Sequence, residues 1–255
     1  MNATTRLAAA AAALLTLPLF AAAPAHAAEK LYTPYVEQGE WEVEYFGNRS
    51  MDKNSSKDNA QAHELSVGYA PTAFWRAEVA VIYEKEPQNR VKFEAWEVEN
   101  IFQLTQQGEY WMDVGALVAF EHTPQSSAPD AMEARVLLAK NSGKFSHVFN
   151  AILGKEVGPG PKAGVEATLL WSSRYSYSQY FEPGFEISSS LGEVKNMGGF
   201  EDQQHAIGPA VYGKVPLHFA GQYDALKYRV GYLFGVSDTA RDGEAVAQLE
   251  YELHF

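Results

Sequence analysis

The chain has 255 residues, no cysteine and a formal net charge of −12. So acidic a balance argues against a nucleic-acid partner, whose binders carry basic patches, and the missing cysteines exclude a disulfide framework or thiolate metal site. Only the N-terminal stretch approaches the ~20 apolar residues of a spanning helix.

That stretch reads as a secretory leader. Arg6 precedes an Ala/Leu-rich run over 7–23, and Pro24-Ala25-His26-Ala27 offers a small-x-small cleavage site before Ala28. The alternative is a membrane anchor, but Pro18 interrupts the run and an Ala-His-Ala pattern has no purpose there. Cleavage of 1–27 removes Arg6 and no acid, leaving 228 of the 255 residues and moving the charge from −12 to about −13. Residues 28–255 show no linker or composition break and are expected to form one domain.

From Glu40 the chain repeats one theme, an alternating segment followed by a turn. Alternation places apolar and polar residues on opposite faces of a strand. The first strand sets Trp41, Val43 and Tyr45 against Glu40, Glu42 and Glu44, with a polar loop over 47–59. The second sets Leu65, Val67 and Tyr69 against Glu64, Ser66 and Gly68 before a tight turn at 70–73. In the third, Trp75, Ala77, Val79, Val81 and Tyr83 alternate with Arg76, Glu78, Ala80, Ile82 and Glu84. Aromatics at both ends with aliphatics between suit a membrane slab bounded by two aromatic girdles.

The fourth segment, over 90–104, switches parity. Val91, Phe93 and Ala95 share one face, while Trp96, Val98, Phe102 and Leu104 share the face opposite Glu97 and Glu99, so either a bulge falls near Ala95-Trp96 or only the second half lies in the slab. The fifth runs Tyr110, Met112, Val114, Ala116, Val118 and Phe120 outward with Trp111, Asp113 and Gly115 inward. The sixth turns Met132, Ala134, Val136 and Leu138 out and Glu133 and Arg135 in; the seventh covers 147–153. The eighth shows Val165, Ala167, Leu169 and Trp171, and the ninth Phe181, Pro183, Phe185 and Ile187. The tenth spans 207–215, and the eleventh sets Tyr228, Val230, Tyr232, Phe234 and Val236 against Lys227, Arg229 and Gly231. The chain ends on Leu249, Tyr251, Leu253 and Phe255 with Glu250, Glu252 and His254 between them.

Twelve such segments predict an all-β protein, a closed antiparallel up-and-down transmembrane β-barrel of about 12 strands; even counts of ten or fourteen stay open. A soluble barrel or sandwich is the alternative. The ending resembles the terminal signal of bacterial outer-membrane β-barrel proteins, carried by Tyr251, Leu253 and Phe255. That resemblance implies an outer-membrane location, contact with lipid and lipopolysaccharide, folding by the barrel-assembly machinery, and a monomer. His63-Glu64-Leu65-Ser66-Val67-Gly68-Tyr69, Phe74-Trp75-Arg76-Ala77-Glu78, Tyr83-Glu84-Lys85-Glu86-Pro87, Gly208-Pro209 and Tyr212-Gly213 resemble proteobacterial outer-membrane proteins of the group linked to meta-pathway phenol degradation. That resemblance implies a barrel and suggests uptake or efflux of small molecules.

In such a barrel the polar parity lines the lumen: Glu42, Glu44, Glu64, Arg76, Glu78, Glu97, Glu99, Asp113, Glu133, Arg135, Arg229, Glu250 and Glu252. Acids outnumber bases, and closure sets Glu42 and Glu44 beside Glu250 and Glu252. The lumen is then either a cation-preferring pore or metal-binding interior, its small-molecule or cation ligand unspecified, or an ion-pair network that plugs the barrel. No histidines pair at metal-ligand spacing, so no cofactor or dedicated metal site is called for. A barrel enzyme acting on lipid is the third reading, though Ser146-His147 is its only hint. Deleting Phe255 is expected to lower the yield of heat-modifiable folded barrel in the outer membrane; an unchanged yield counts against the terminal-signal reading.

Overall fold

The computed structural model describes residues 29–125, 128–160, 162–217 and 224–254; the expected leader and Phe255 lie outside them. Twelve strands follow in order: β1 (Glu40–Met51), β2 (Gln61–Thr72), β3 (Trp75–Lys85), β4 (Lys92–Gln103), β5 (Asp113–His122), β6 (Asp130–Ser142), β7 (Phe145–Val157), β8 (Val165–Tyr175), β9 (Glu182–Glu193), β10 (Gln204–Pro216), β11 (Ala225–Gly235) and β12 (Gly243–His254). Each pairs antiparallel with its chain neighbours, and β12 pairs with β1 to close the barrel. The expected fold class and strand count stand.

β1 shows why the sheet curls this way. Trp41, Val43 and Tyr45 are exposed, while Glu40, Glu42, Glu44 and Phe46 between them are buried. Apolar surface therefore faces out and carboxylates face in, the reverse of a soluble barrel. The outward band carries aromatic pairs near both rims: Trp41–Tyr69 and Phe145–Tyr175 at the terminus end, and Tyr83–Phe93, Trp96–Phe120 and Tyr232–Phe234 at the other. Ring pairs of this kind add to the outward face's own packing.

Two local expectations change, and a third, the bulge near Ala95-Trp96, holds to within one residue. The Gly47-Asn48-Arg49-Ser50 stretch was expected to be loop, yet β1 continues through it, paired with β2 and β12 on its two sides. Tyr45 leans across Gly47, where an added Cβ would run into its hydroxyl, so the ring fills the place of the missing side chain. The bulge on β4 falls at Glu94, since Ile82 pairs with Ala95 and Tyr83 with Phe93. Trp111 does not point inward: β5 begins at Asp113, and Trp111 is 76% exposed in the preceding connection.

Lipid-face substitutions follow from this parity. Val79 sits mid-strand, outward and 56% exposed, between Val67 of β2 and Val98 of β4. Val79→Arg is expected to cost about 2–4 kcal/mol in urea unfolding of the lipid-reconstituted barrel, while Val79→Leu stays within about 1.5 kcal/mol of wild type. Equal stabilities would place Val79 away from lipid.

Candidate functional site

The lumen-facing candidates all lie on the inner parity. Glu42, Glu44, Glu78, Glu99, Asp113, Arg135, Arg229 and Glu252 are buried, and Glu64, Arg76, Glu97, Glu133 and Glu250 are half-buried. The β1–β12 register sets Glu42 opposite Glu252 and Glu44 opposite Glu250. Bases from neighbouring strands meet this seam. Arg76 pairs with Glu42, Lys227 with Glu250 (2.8 Å) and Glu252, and Lys214 with Glu252 at 2.6 Å. Gln248 donates to Glu44 at 3.0 Å. Arg229 reaches Glu186 instead, donating from Nε and Nη2 at 2.6 Å each, and Tyr212 donates to the same carboxylate. Such forked pairs fix geometry as well as charge.

The feature that sequence reading missed is the segment before β1. The chain turns at Gly39, whose φ of +87° suits glycine, and residues 29–36 run into the lumen. Lys30 lies at its centre, 4% exposed, with Nζ 2.7 Å from Glu78, 2.9 Å from Glu44 and 3.0 Å from Glu64. Burial works against the ammonium, but Glu44, Glu64 and Glu78 outweigh it and hold its pKa well above the ordinary lysine value. Tyr32 donates its hydroxyl to Glu99 at 2.5 Å, and Tyr35 to Asp113 at 2.8 Å. Burial and the Asp113 contact push the Tyr35 phenol up to about 12, so it stays a donor.

The wall also grips the segment's main chain. The fully buried Asn150 accepts from Tyr32 N–H and donates to Tyr32 C=O, both at 2.8 Å. Gln103 accepts from Val36 N–H at 2.8 Å, and Arg135 donates to Lys30 C=O at 2.8 Å while pairing with Glu29 at 3.0 Å and with Glu133. The Tyr32 ring packs on a buried inner patch of Ile101, Leu117, Ala119 and Leu137. Pro34 is fully buried against Gly115, where an added Cβ would meet Pro34 Cβ at 2.8 Å.

The segment divides the lumen. A cavity of about 660 Å³ opens at the terminus side, the end where β1 begins and β12 finishes, and one of about 420 Å³, lined in part by Glu29, opens toward the opposite rim. Among the described residues, Tyr32 is the one side chain lining both. Their charges differ: seven carboxylates face five bases on the terminus side, but nine face three on the other, Glu97 among them. Carboxylates therefore outnumber bases more strongly in the vestibule at the rim opposite the start of β1.

Two inner carboxylate triplets, Glu40/Glu42/Glu252 and Glu44/Glu64/Glu78, bring oxygens within 4.8 Å of one another, as would suit a cation. Amino-acid cations already meet both, Arg76, Lys214 and Lys227 at the first and Lys30 at the second. Ser146 lines the terminus-side cavity, whereas His147, on the other face of β7, stacks against Phe145. The two do not meet as a nucleophile and base.

No family model matches the chain, and no curated protein matches it by sequence. Solved structures do. A structure described as the KdgM porin aligns over 84% of this chain and 99% of its own at 9% identity, with a TM-score of 0.52. A bacterial polysaccharide outer membrane secretin aligns over 86% and 100% at 9% identity (TM-score 0.42), and the Acinetobacter baumannii outer membrane protein Omp33 over 86% and 100% at 12% (TM-score 0.43). At 9% identity the likeness to the KdgM porin is one of fold: this chain has the barrel architecture of an outer-membrane porin.

The grip on Lys30 has a direct readout. Trypsin cleaves after an accessible lysine, so cleavage at Lys30 measures local opening of the segment. Glu64→Gln combined with Glu78→Gln is expected to speed that cleavage at least about tenfold, equivalent to ~1.4 kcal/mol, while the barrel itself stays folded. An unchanged rate would mean the ion pairs do not hold the segment.

Proposed function

We propose that the protein is an outer-membrane channel or transporter-like barrel for small molecules or ions, closed at rest by its own N-terminal segment. One observation carries the reading: two sizeable cavities meet at Tyr32 of the N-terminal segment, which lines both. The local resemblance to the meta-pathway phenol degradation group points the same way, toward uptake or efflux of small molecules. Short turns lie on the periplasmic side in barrels of this class, which would put the acidic vestibule outside. Its charge favours cations over anions. The outward band would contact lipid and lipopolysaccharide, with the barrel folded as a monomer by the assembly machinery.

A second reading has its own support. The segment is held by neutral amide bonds as well as ion pairs, and the seam carboxylates are met by bases from the wall. A barrel plugged for good, with a binding or structural role, would use the same contacts. Planar-bilayer recording separates the two. Removing residues 29–36 from the folded, reconstituted barrel is expected to raise conductance at least about tenfold with a cation preference. Intermittent opening of the wild-type barrel supports the channel reading, a wild type that stays silent while the deletion variant conducts favours the plugged reading, and an anion preference overturns the role given to the acidic vestibule.

A further inference from the structure

The N-terminal segment is held as a receptor holds a peptide. Its burial alternates: Lys30, Tyr32 and Pro34 are buried, while Leu31 and Thr33 are half-buried. Asn150 reads both backbone groups of Tyr32, Gln103 reads the N–H of Val36, and Arg135 reads the C=O of Lys30. These wall groups recognise main chain, which any peptide carries. In extended-peptide recognition main-chain bonds give affinity and pockets for alternate side chains give specificity. Both parts are present, with a carboxylate pocket for the Lys30 ammonium and an apolar patch ending in Glu99 for the Tyr32 phenol.

Nothing in the wall requires the occupant to be covalently attached. The segment adds no strand to the sheet, and cavities lie on both sides of it. We propose that the mid-lumen is a peptide-binding site, occupied at rest by residues 29–36, and that it accepts from solution an extended peptide with a lysine two positions before a tyrosine. This deepens the channel reading by naming a ligand class, and it rests on that reading only for the step from binding to passage. The tethered segment competes at an effective concentration on the order of millimolar, so the intact barrel should bind a free peptide weakly and a barrel with a weakened segment should bind it well.

The probe is the synthetic peptide Glu-Lys-Leu-Tyr-Thr-Pro-Tyr-Val, the sequence of residues 29–36, carrying a fluorophore for anisotropy. The receptor is the full chain with Lys30→Ala and Tyr32→Ala, shown folded by heat-modifiability. The peptide is expected to bind this variant at least about tenfold tighter than wild type. Replacing the peptide's lysine with alanine, or adding Asn150→Ala to the barrel, should each cost about tenfold or more. Equal binding to both barrels, or none to the folded variant, overturns the site. If the variant does not fold, the wild-type barrel gives the answer: excess peptide should raise acylation of the Lys30 amine at least about fivefold by displacing the segment, and an unchanged rate overturns the proposal. Neither measurement involves conductance, so a silent barrel that binds peptide would end the channel reading and keep the site.

Discussion

Closure of β12 onto β1 sets the terms for everything inside. An open twelve-strand sheet would leave two unpaired edges, and the continuous register from Glu40 opposite His254 to Met51 opposite Gly243 removes both. A slip of one residue would turn every outward apolar side chain into the lumen, so the outer surface fixes the register. The inner face must accept the consequence, two pairs of glutamates directly opposed across the seam. Like charges at such separations repel even in partly wet surroundings. Arg76 from β3, Lys214 from β10 and Lys227 from β11 sit where they offset that repulsion.

Further up the lumen, wall carboxylates converge on a base that comes from outside the sheet. Glu44, Glu64 and Glu78 converge within ion-pairing distance of one ammonium, and that ammonium belongs to Lys30 of the N-terminal segment. Removing one partner from a buried ionic group typically costs about 3–5 kcal/mol, because the remaining charge is stranded. Segment and wall are therefore interdependent. The segment needs the wall to bury Lys30, and the wall in its compact arrangement needs the segment's charge.

Much of this was legible in the sequence because period-two alternation is a strong signal. Trp41-Glu42-Val43-Glu44-Tyr45 and Leu249-Glu250-Tyr251-Glu252-Leu253 fix both strands and which faces look outward. From their parity the opposition of seam carboxylates follows without coordinates. Gly47 misled, since a glycine beside Asn and Ser reads as a turn, and only the neighbouring Tyr45 ring explains its place in a strand. Residues 29–39 carry no alternation against a sheet and pass as a spacer. Yet Leu31, Tyr32, Pro34, Tyr35 and Val36 are too apolar for a solvated linker. Ile101, Leu117 and Leu137, apolar on the inner parity of β4 to β6, were the matching sign that something other than water lies against them. Asn150 was harder to find, because one amide on a strand has no pattern.

The two kinds of contact that hold the segment differ in what disturbs them. Ion pairs at a protein surface weaken as salt rises, but those buried against low-dielectric walls are screened far less. Lys30 is 4% exposed and Glu78 is 2% exposed, so ionic strength alone is a poor lever on their pairing. The Asn150 amide bonds and the Tyr32 ring's apolar contacts carry no net charge and do not answer to salt at all. A group that met only one of these sets, a simple cation or a greasy molecule, would leave the other intact. Displacing the segment therefore calls for an occupant that replaces both together, supplying an ammonium, an aromatic ring and a main chain in one extended piece. For the proposed peptide site, that requirement, and not the size of the cavities, sets what can take the segment's place.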